Sequence, residues 1–144
     1  MAKISRPANA KALATLCARV AAEKKASSIT LLNIKEIDGS PSEWFVIAEC
    51  ASEPQIRSLA EEMIQITKAV GVDAPRTEGW ESMNWILVDY FDVVVHIMKH
   101  EAREFYKLEK LWSEAEQYEL STAGRLVKSK VGTLRKTGIE SERA

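Results

Sequence analysis

Apolar positions change period several times along the chain, and each change marks an element. Over residues 9–25, Leu13, Leu16 and Val20 recur at three- and four-residue spacing, which predicts an amphipathic helix. Residues 28–35, with Ile29, Leu31 and Leu32, read as a strand. Asp38-Gly39-Ser40-Pro41-Ser42 is turn chemistry, and a second strand over 43–50 completes a hairpin with a long loop. Ser52 followed by Gln55 has capping-box spacing, and Pro54 is tolerated in a first turn. Ile56, Leu59, Met63, Ile66 and Val70 then form the stripe of a second helix that ends at Gly71.

A short extended segment, residues 73–78, leads through Gly79 to strands over 84–90 and 92–98. With Tyr90 and Phe91 as a two-residue hairpin turn, Trp85 faces His96, Leu87 faces Val94 and Asp89 faces Asp92. Ile86, Val88, Val93, Val95 and Ile97 line the opposite, core-facing side, all of them β-branched. Phe105, Leu108, Trp112 and Ala115 predict a third helix over about 100–118. Beyond Ser121 the period weakens and Gly124, Gly132 and Gly138 interrupt it. The expected organisation is one domain, residues 1–120, followed by a partly helical or disordered tail, residues 121–144.

Composition sharpens this division. At 144 residues, 46% hydrophobic and 28% charged, the chain has room for one domain with a real core. The net charge of −1 conceals a balance of −5 over residues 1–120 and +4 over 121–144. Such a tail serves either to meet phosphates, displacing their counterions, or to keep an end solvated. Cys17 and Cys50 have no metal-ligand spacing and read as buried thiols in a reducing compartment. No apolar run approaches the ~20 residues of a spanning helix, and no signal-peptide pattern opens the chain. A cytoplasmic protein without a membrane partner is expected.

Candidate chemistry is sparse. Asp89, Asp92 and His96 suggest an oriented general base, but the register puts the carboxylates about 13 Å along the strands from the imidazole. His96 reads as structural and the aspartates as turn residues. Gly39-Ser40 after a strand is similar to the triphosphate-binding turn of nucleotidyltransferases. The next strand offers only Glu43 and Glu49, so two-metal phosphoryl transfer lacks its ligands. No P-loop, dinucleotide fingerprint or KH-type GxxG loop is present. No catalytic residue, metal or cofactor is expected. The strip Trp85, Leu87, Val94, His96, Met98 is either covered by a helix or left open as a partner site with Trp85 and Tyr90 as anchors.

Three motifs carry a family resemblance. They are Glu78-Gly79 followed by Trp85-Ile86-Leu87-Val88-Asp89-Tyr90, the run Asp92-Val93-Val94-Val95-His96, and Arg103-x-x-Tyr106-x-Leu108-Glu109-x-Leu111-Trp112. Together with the aromatic strand Trp44-Phe45-Val46-Ile47-Ala48, they make residues 9 to 114 resemble the Iojap family of ribosomal silencing factors. The resemblance implies an α/β (α+β) fold with a mixed sheet of about five strands between helices, related to nucleotidyltransferases but without their active site. It implies a non-enzymatic translation repressor, linked to ribosome biogenesis, that binds the large ribosomal subunit through ribosomal protein number fourteen. Small-subunit joining is thereby blocked under nutrient limitation. By motif match the partner contact falls on Trp85, Asp89, Tyr90, Arg103 and Tyr106, while Glu109, Leu111 and Trp112 hold the last helix on the sheet. Phe91 departs from the family's usual glycine. The basic tail lies outside the resemblance, and its expected partner is ribosomal RNA. The rival readings are a metal-dependent nucleotidyltransferase-like enzyme and a self-associating module that forms homodimers through its aromatic strip.

Overall fold

The computed structural model describes residues 5–129. Its elements are α1 (Ala10–Glu23), β1 (Ser28–Asn33), β2 (Trp44–Cys50), α2 (Glu53–Ala69), β3 (Arg76–Glu78), β4 (Trp85–Asp89), β5 (Val93–Lys99), α3 (His100–Tyr106), α4 (Leu108–Leu111), β6 (Glu116–Leu120) and β7 (Leu126–Lys128). The starts of the two long helices are built as their sequence signals require. Asn9 accepts the amide of Ala12, and Ser52 accepts that of Gln55 while the Gln55 side chain returns to the amide of Ala51. At the end of α2, Gly71 takes a φ of 89°, its amide reaching Lys68 and that of Val72 reaching Thr67. This pair of bonds closes the last carbonyls in a Schellman arrangement.

The strands form one sheet in the order β3-β4-β5-β2-β1-β6-β7, with β2 and β5 parallel and the other neighbours antiparallel. The α/β class and the mixed sheet agree with the sequence reading, but the described residues form seven strands in place of about five. Two layers of unequal depth cover the sheet. On one face α1 and α2 pack Leu16, Val20, Ile56, Leu59 and Met63 onto Val46, Ile86, Val88, Val95 and Ile97. On the other, α3, α4 and the segment after them cover Phe45, Ile47, Val94 and Met98 with Leu108 and Ala115. Burial on both faces explains why β2 reads as an unbroken apolar run.

Three expectations need correction. The helix expected over 100–118 breaks at Lys107, whose φ of 50° is left-handed, and four residues of α4 follow before the chain turns extended. Residues 116–120 then pair with β1, Asn33 opposite Glu116 and Leu31 opposite Tyr118. Without them β1 would be an open edge with unpaired amides and carbonyls, so strand pairing outweighs a helical period that Trp112 and Ala115 extended by coincidence. Second, the stretch expected to be helical or disordered begins with a hairpin: Ser121–Arg125 form its turn and β7 its second strand. The remainder of that stretch, from residue 130, lies outside the described residues. Third, the β4–β5 register is displaced by two residues, with Trp85 opposite Met98, Leu87 opposite His96 and Asp89 opposite Val94. Asp89 pairs with Val94 and not with Asp92, so the connection runs over residues 90–93, two residues longer on the β5 side than a turn at Tyr90 and Phe91.

Candidate functional site

Parity survives a two-residue displacement, so the faces of β4 and β5 are those the sequence predicts. Ile86, Val88, Val93, Val95 and Ile97 are fully buried under α1 and α2. Trp85, Leu87, Val94, His96 and Met98 lie on the face with the thinner cover. There Val94, His96 and Met98 are buried, while Trp85 and Leu87, on the more peripheral strand, are half-buried. The strip is therefore neither closed nor open. Its interior half is core, and its outer half reaches the surface.

Trp85 anchors that outer half. Its Nε1–H donates to Nδ1 of His96 at 3.1 Å, which leaves the imidazole proton on Nε2. Burial brings the His96 pKa down to about 4, Asp89 opposing the shift, so the ring is neutral near pH 7 and serves as a fixed acceptor for the indole. Tyr106, at the end of α3, stacks on Trp85 with ring centroids 4.7 Å apart, and Phe105 meets Tyr106 edge-on at 4.9 Å. Phe105 is 78% exposed and Tyr106 is also exposed, so the three rings form an aromatic surface with a locked base.

Arg103, on the same helix as Phe105 and Tyr106, is only 9% exposed. Its Nε and Nη2 donate to the two carboxylate oxygens of Glu109 at 3.2 and 2.9 Å, a bidentate fork. Nη1 donates to the carbonyl of Ser28 and Nη2 also to Oγ1 of Thr30, both at 3.0 Å, and Glu49 lies 3.5 Å away. One guanidinium thus ties α3 and α4 to β1 and β2. His100, at the start of α3, bonds Glu49 at 2.9 Å, which raises its pKa.

At the opposite end of β4 the chain reverses through Phe91. Tyr90 donates its amide to the carbonyl of Val93 at 2.8 Å, and Asp92 donates back to the carbonyl of Tyr90 at 3.0 Å. With Phe91 at φ 80° between those last two groups, this is a γ-turn of the rare, positive-φ kind. The Asp89 carboxylate accepts the Phe91 amide at 2.7 Å. Phe91 itself is 82% exposed. Tyr90 points the other way: it packs with the α1/α2 core, and its hydroxyl lies 2.9 Å from that of Thr67. Burial first, then the nearby Cys17, pushes its phenol pKa up.

Of the five residues that the resemblance marked for a partner, the structure brings Trp85 and Tyr106 into contact. Arg103 is buried against β1 and β2 instead, Asp89 holds the far turn, and Tyr90 faces the opposite core. Glu109 and Trp112 hold the C-terminal helical segment on the sheet, Trp112 by an edge-on contact with Phe45 at 5.7 Å. Leu111 does not; it is 71% exposed. Phe105, expected in a buried stripe, is instead part of the surface. Two adjacent aromatics, Phe105-Tyr106, cannot both face inward from one helix, and that was the available signal. Cys17 and Cys50 are free and buried, their pKa values pushed up to about 12 and 11, chiefly by burial. Among the described residues no three His, Cys, Asp or Glu side chains converge as a metal site would need. No helix among them is long and apolar enough to cross a membrane.

Comparison with known proteins places this surface in context. Residues 7–142 match the family described as "Ribosomal silencing factor during starvation", so the match reaches well past residue 114. The ribosomal silencing factor of Halalkalibacterium halodurans is 38% identical over 98 residues, 68% of this chain and 83% of that one. That of Bacillus subtilis is 32% identical over 107 residues, 74% and 90% of the two chains. A solved structure of a protein from Chromobacterium violaceum superimposes with a TM-score of 0.68 at 32% identity, covering 72% of this chain and 86% of that one.

Proposed function

Because the chain belongs to the family of ribosomal silencing factors, with the ribosome-associated silencing role that membership carries, we propose that it binds the large ribosomal subunit through ribosomal protein number fourteen and sterically blocks small-subunit joining. Translation is thereby repressed under nutrient limitation. The observation that carries this reading is the aromatic cluster of half-buried Trp85 with exposed Tyr106 and Phe105, Trp85 being held by His96 and the helix that carries the other two by Arg103. Aromatic anchors held rigid before contact lose little freedom on binding, which is what concentrates affinity in a few residues.

The relatives are named as silencing factors, not as enzymes, and occlusion asks nothing of the site beyond occupancy. Arg103 takes part as the strut that positions α3, Asp89 and Tyr90 as supports of the hairpin end. Ribosomal RNA contact by the basic C-terminal residues and a cytoplasmic location belong to the same proposal. Co-sedimentation with isolated large subunits tests it. The wild type is expected to pellet with them, and Trp85→Ala or Tyr106→Ala to weaken binding about tenfold or more. A wild type that stays in the supernatant defeats the reading.

A further inference from the structure

We propose that Phe91 is a second anchor, at the far end of the β4–β5 hairpin from Trp85, which inserts into an apolar pocket rimmed by basic side chains on a protein of the large subunit. The inference rests on the functional reading above and adds a residue and a partner chemistry to it. Phe91 is the most exposed large hydrophobic side chain among the described residues, at 82%. Its backbone adopts a φ of 80°, where glycine is at ease and a side chain is strained. Among the described residues the ring is almost wholly uncovered, so the strain is not offset there by burial of the side chain.

The turn is nevertheless firmly held. The Asp89 carboxylate grips the Phe91 amide, the γ-turn bond closes over it, and the backbone carbonyl of Asp92 accepts the amides of Glu43 and Trp44 at 2.9 and 3.1 Å. A strained residue kept in place by its surroundings, with its side chain exposed among the described residues, is the pattern of a pre-organised contact. The groups around the tip set the partner's chemistry. Asp89, whose carboxylate accepts the Phe91 amide, and the adjacent Asp92 flank Phe91 with acidic side chains, which repel a phosphate backbone and favour a lysine- or arginine-rich protein surface. An ordinary interface covers about 800 Å² per partner, enough to span both ends of a hairpin roughly 20 Å long.

Phe91→Gly separates the two roles of the residue, because it relieves the backbone and removes the ring. The full-length variant is compared with the wild type in urea unfolding and in binding to isolated large subunits, with protein-free ribosomal RNA as a further arm. The expected result is an unfolding midpoint equal to or above the wild type, together with affinity for the subunit reduced about tenfold. Undiminished binding by Phe91→Gly overturns the inference alone. Binding to bare RNA that depends equally on Phe91 overturns the partner class proposed here. If the wild type itself fails to bind the subunit, the functional reading falls and this inference with it.

Discussion

Gly79 and Phe91 both hold positive φ, at 97° and 80°, yet the two positions answer to different constraints. At Gly79 a Cβ would overlap the backbone carbonyl of Trp85, so the residue is fixed by contact as well as by dihedral. Gly79→Ala is expected to lose roughly 2 kcal/mol or more, read as a lower urea midpoint at unchanged m-value; an unchanged midpoint contradicts this. At Phe91 space is open and only the dihedral objects, at a cost of order 1 kcal/mol. His96 supplies a pH signature. Its folded pKa, about 4, lies below the ordinary imidazole value of 6.5, so between those pH values the unfolded chain binds more protons than the folded one. Its contribution is complete above about pH 6.5 and is lost as pH falls towards 4, amounting to at most about 3 kcal/mol. Proton NMR titration of the folded protein is expected to show this imidazole neutral down to about pH 4. A ring that titrates near 6.5 would mean that the imidazole is not buried as described.

At the scale of elements, α3 and α4 are too short to persist alone, and Arg103 is what fastens them. Arg103→Met leaves Glu109 largely enclosed without its cation and Glu49 with His100 alone. A loss of about 3 kcal/mol is expected, with faster amide exchange over residues 100–112. Arg103→Lys should recover little of it, since an ammonium cannot reproduce the fork to Glu109. Unaltered exchange in Arg103→Met would show that Leu108 and Trp112 suffice. These elements also mark where sequence reasoning stopped. The long helices and the central strands were legible from period, cap and turn: the apolar stripe of α1, Ser52 and Gly71 at the two ends of α2, and the unbroken run of β2. The β4–β5 faces were legible although their register was not, because a γ-turn at a non-glycine residue leaves no local mark and an even displacement conserves faces. Residues 105–115 misled for a physical reason. Their three- and four-residue spacing is real, but Lys107 turns left-handed within it, and the unpaired edge of β1 recruits the next residues as a strand. Tyr118, Leu120 and Leu126 around Ser121–Arg125 had the alternation and turn of a hairpin, visible only once helix was not assumed. The site was half legible: Trp85 and Tyr106 by motif, Phe105 not at all, and the buried position of Arg103 only from packing.

Over the whole molecule, one face of the sheet is sealed by two long helices and the other by two short ones, and the aromatic surface emerges where that thinner cover ends. The β6–β7 hairpin extends the sheet to Lys128, so the tail's contribution is best tested by removing residues 130–144 and sparing the strands. If the basic end meets ribosomal RNA, this truncation weakens large-subunit binding more at low salt than at high salt and flattens the salt dependence; equal loss at both points to another role. The central claim is occlusion by occupancy. It is tested most directly by the light-scattering rise that follows mixing of isolated small and large subunits, the large subunits being saturated beforehand with the wild type or with Trp85→Ala/Tyr106→Ala. The account predicts that the wild type suppresses joining in proportion to the fraction of large subunits it occupies, and that the double variant does not at the same concentration. Full joining by large subunits that demonstrably carry the wild-type protein would contradict it.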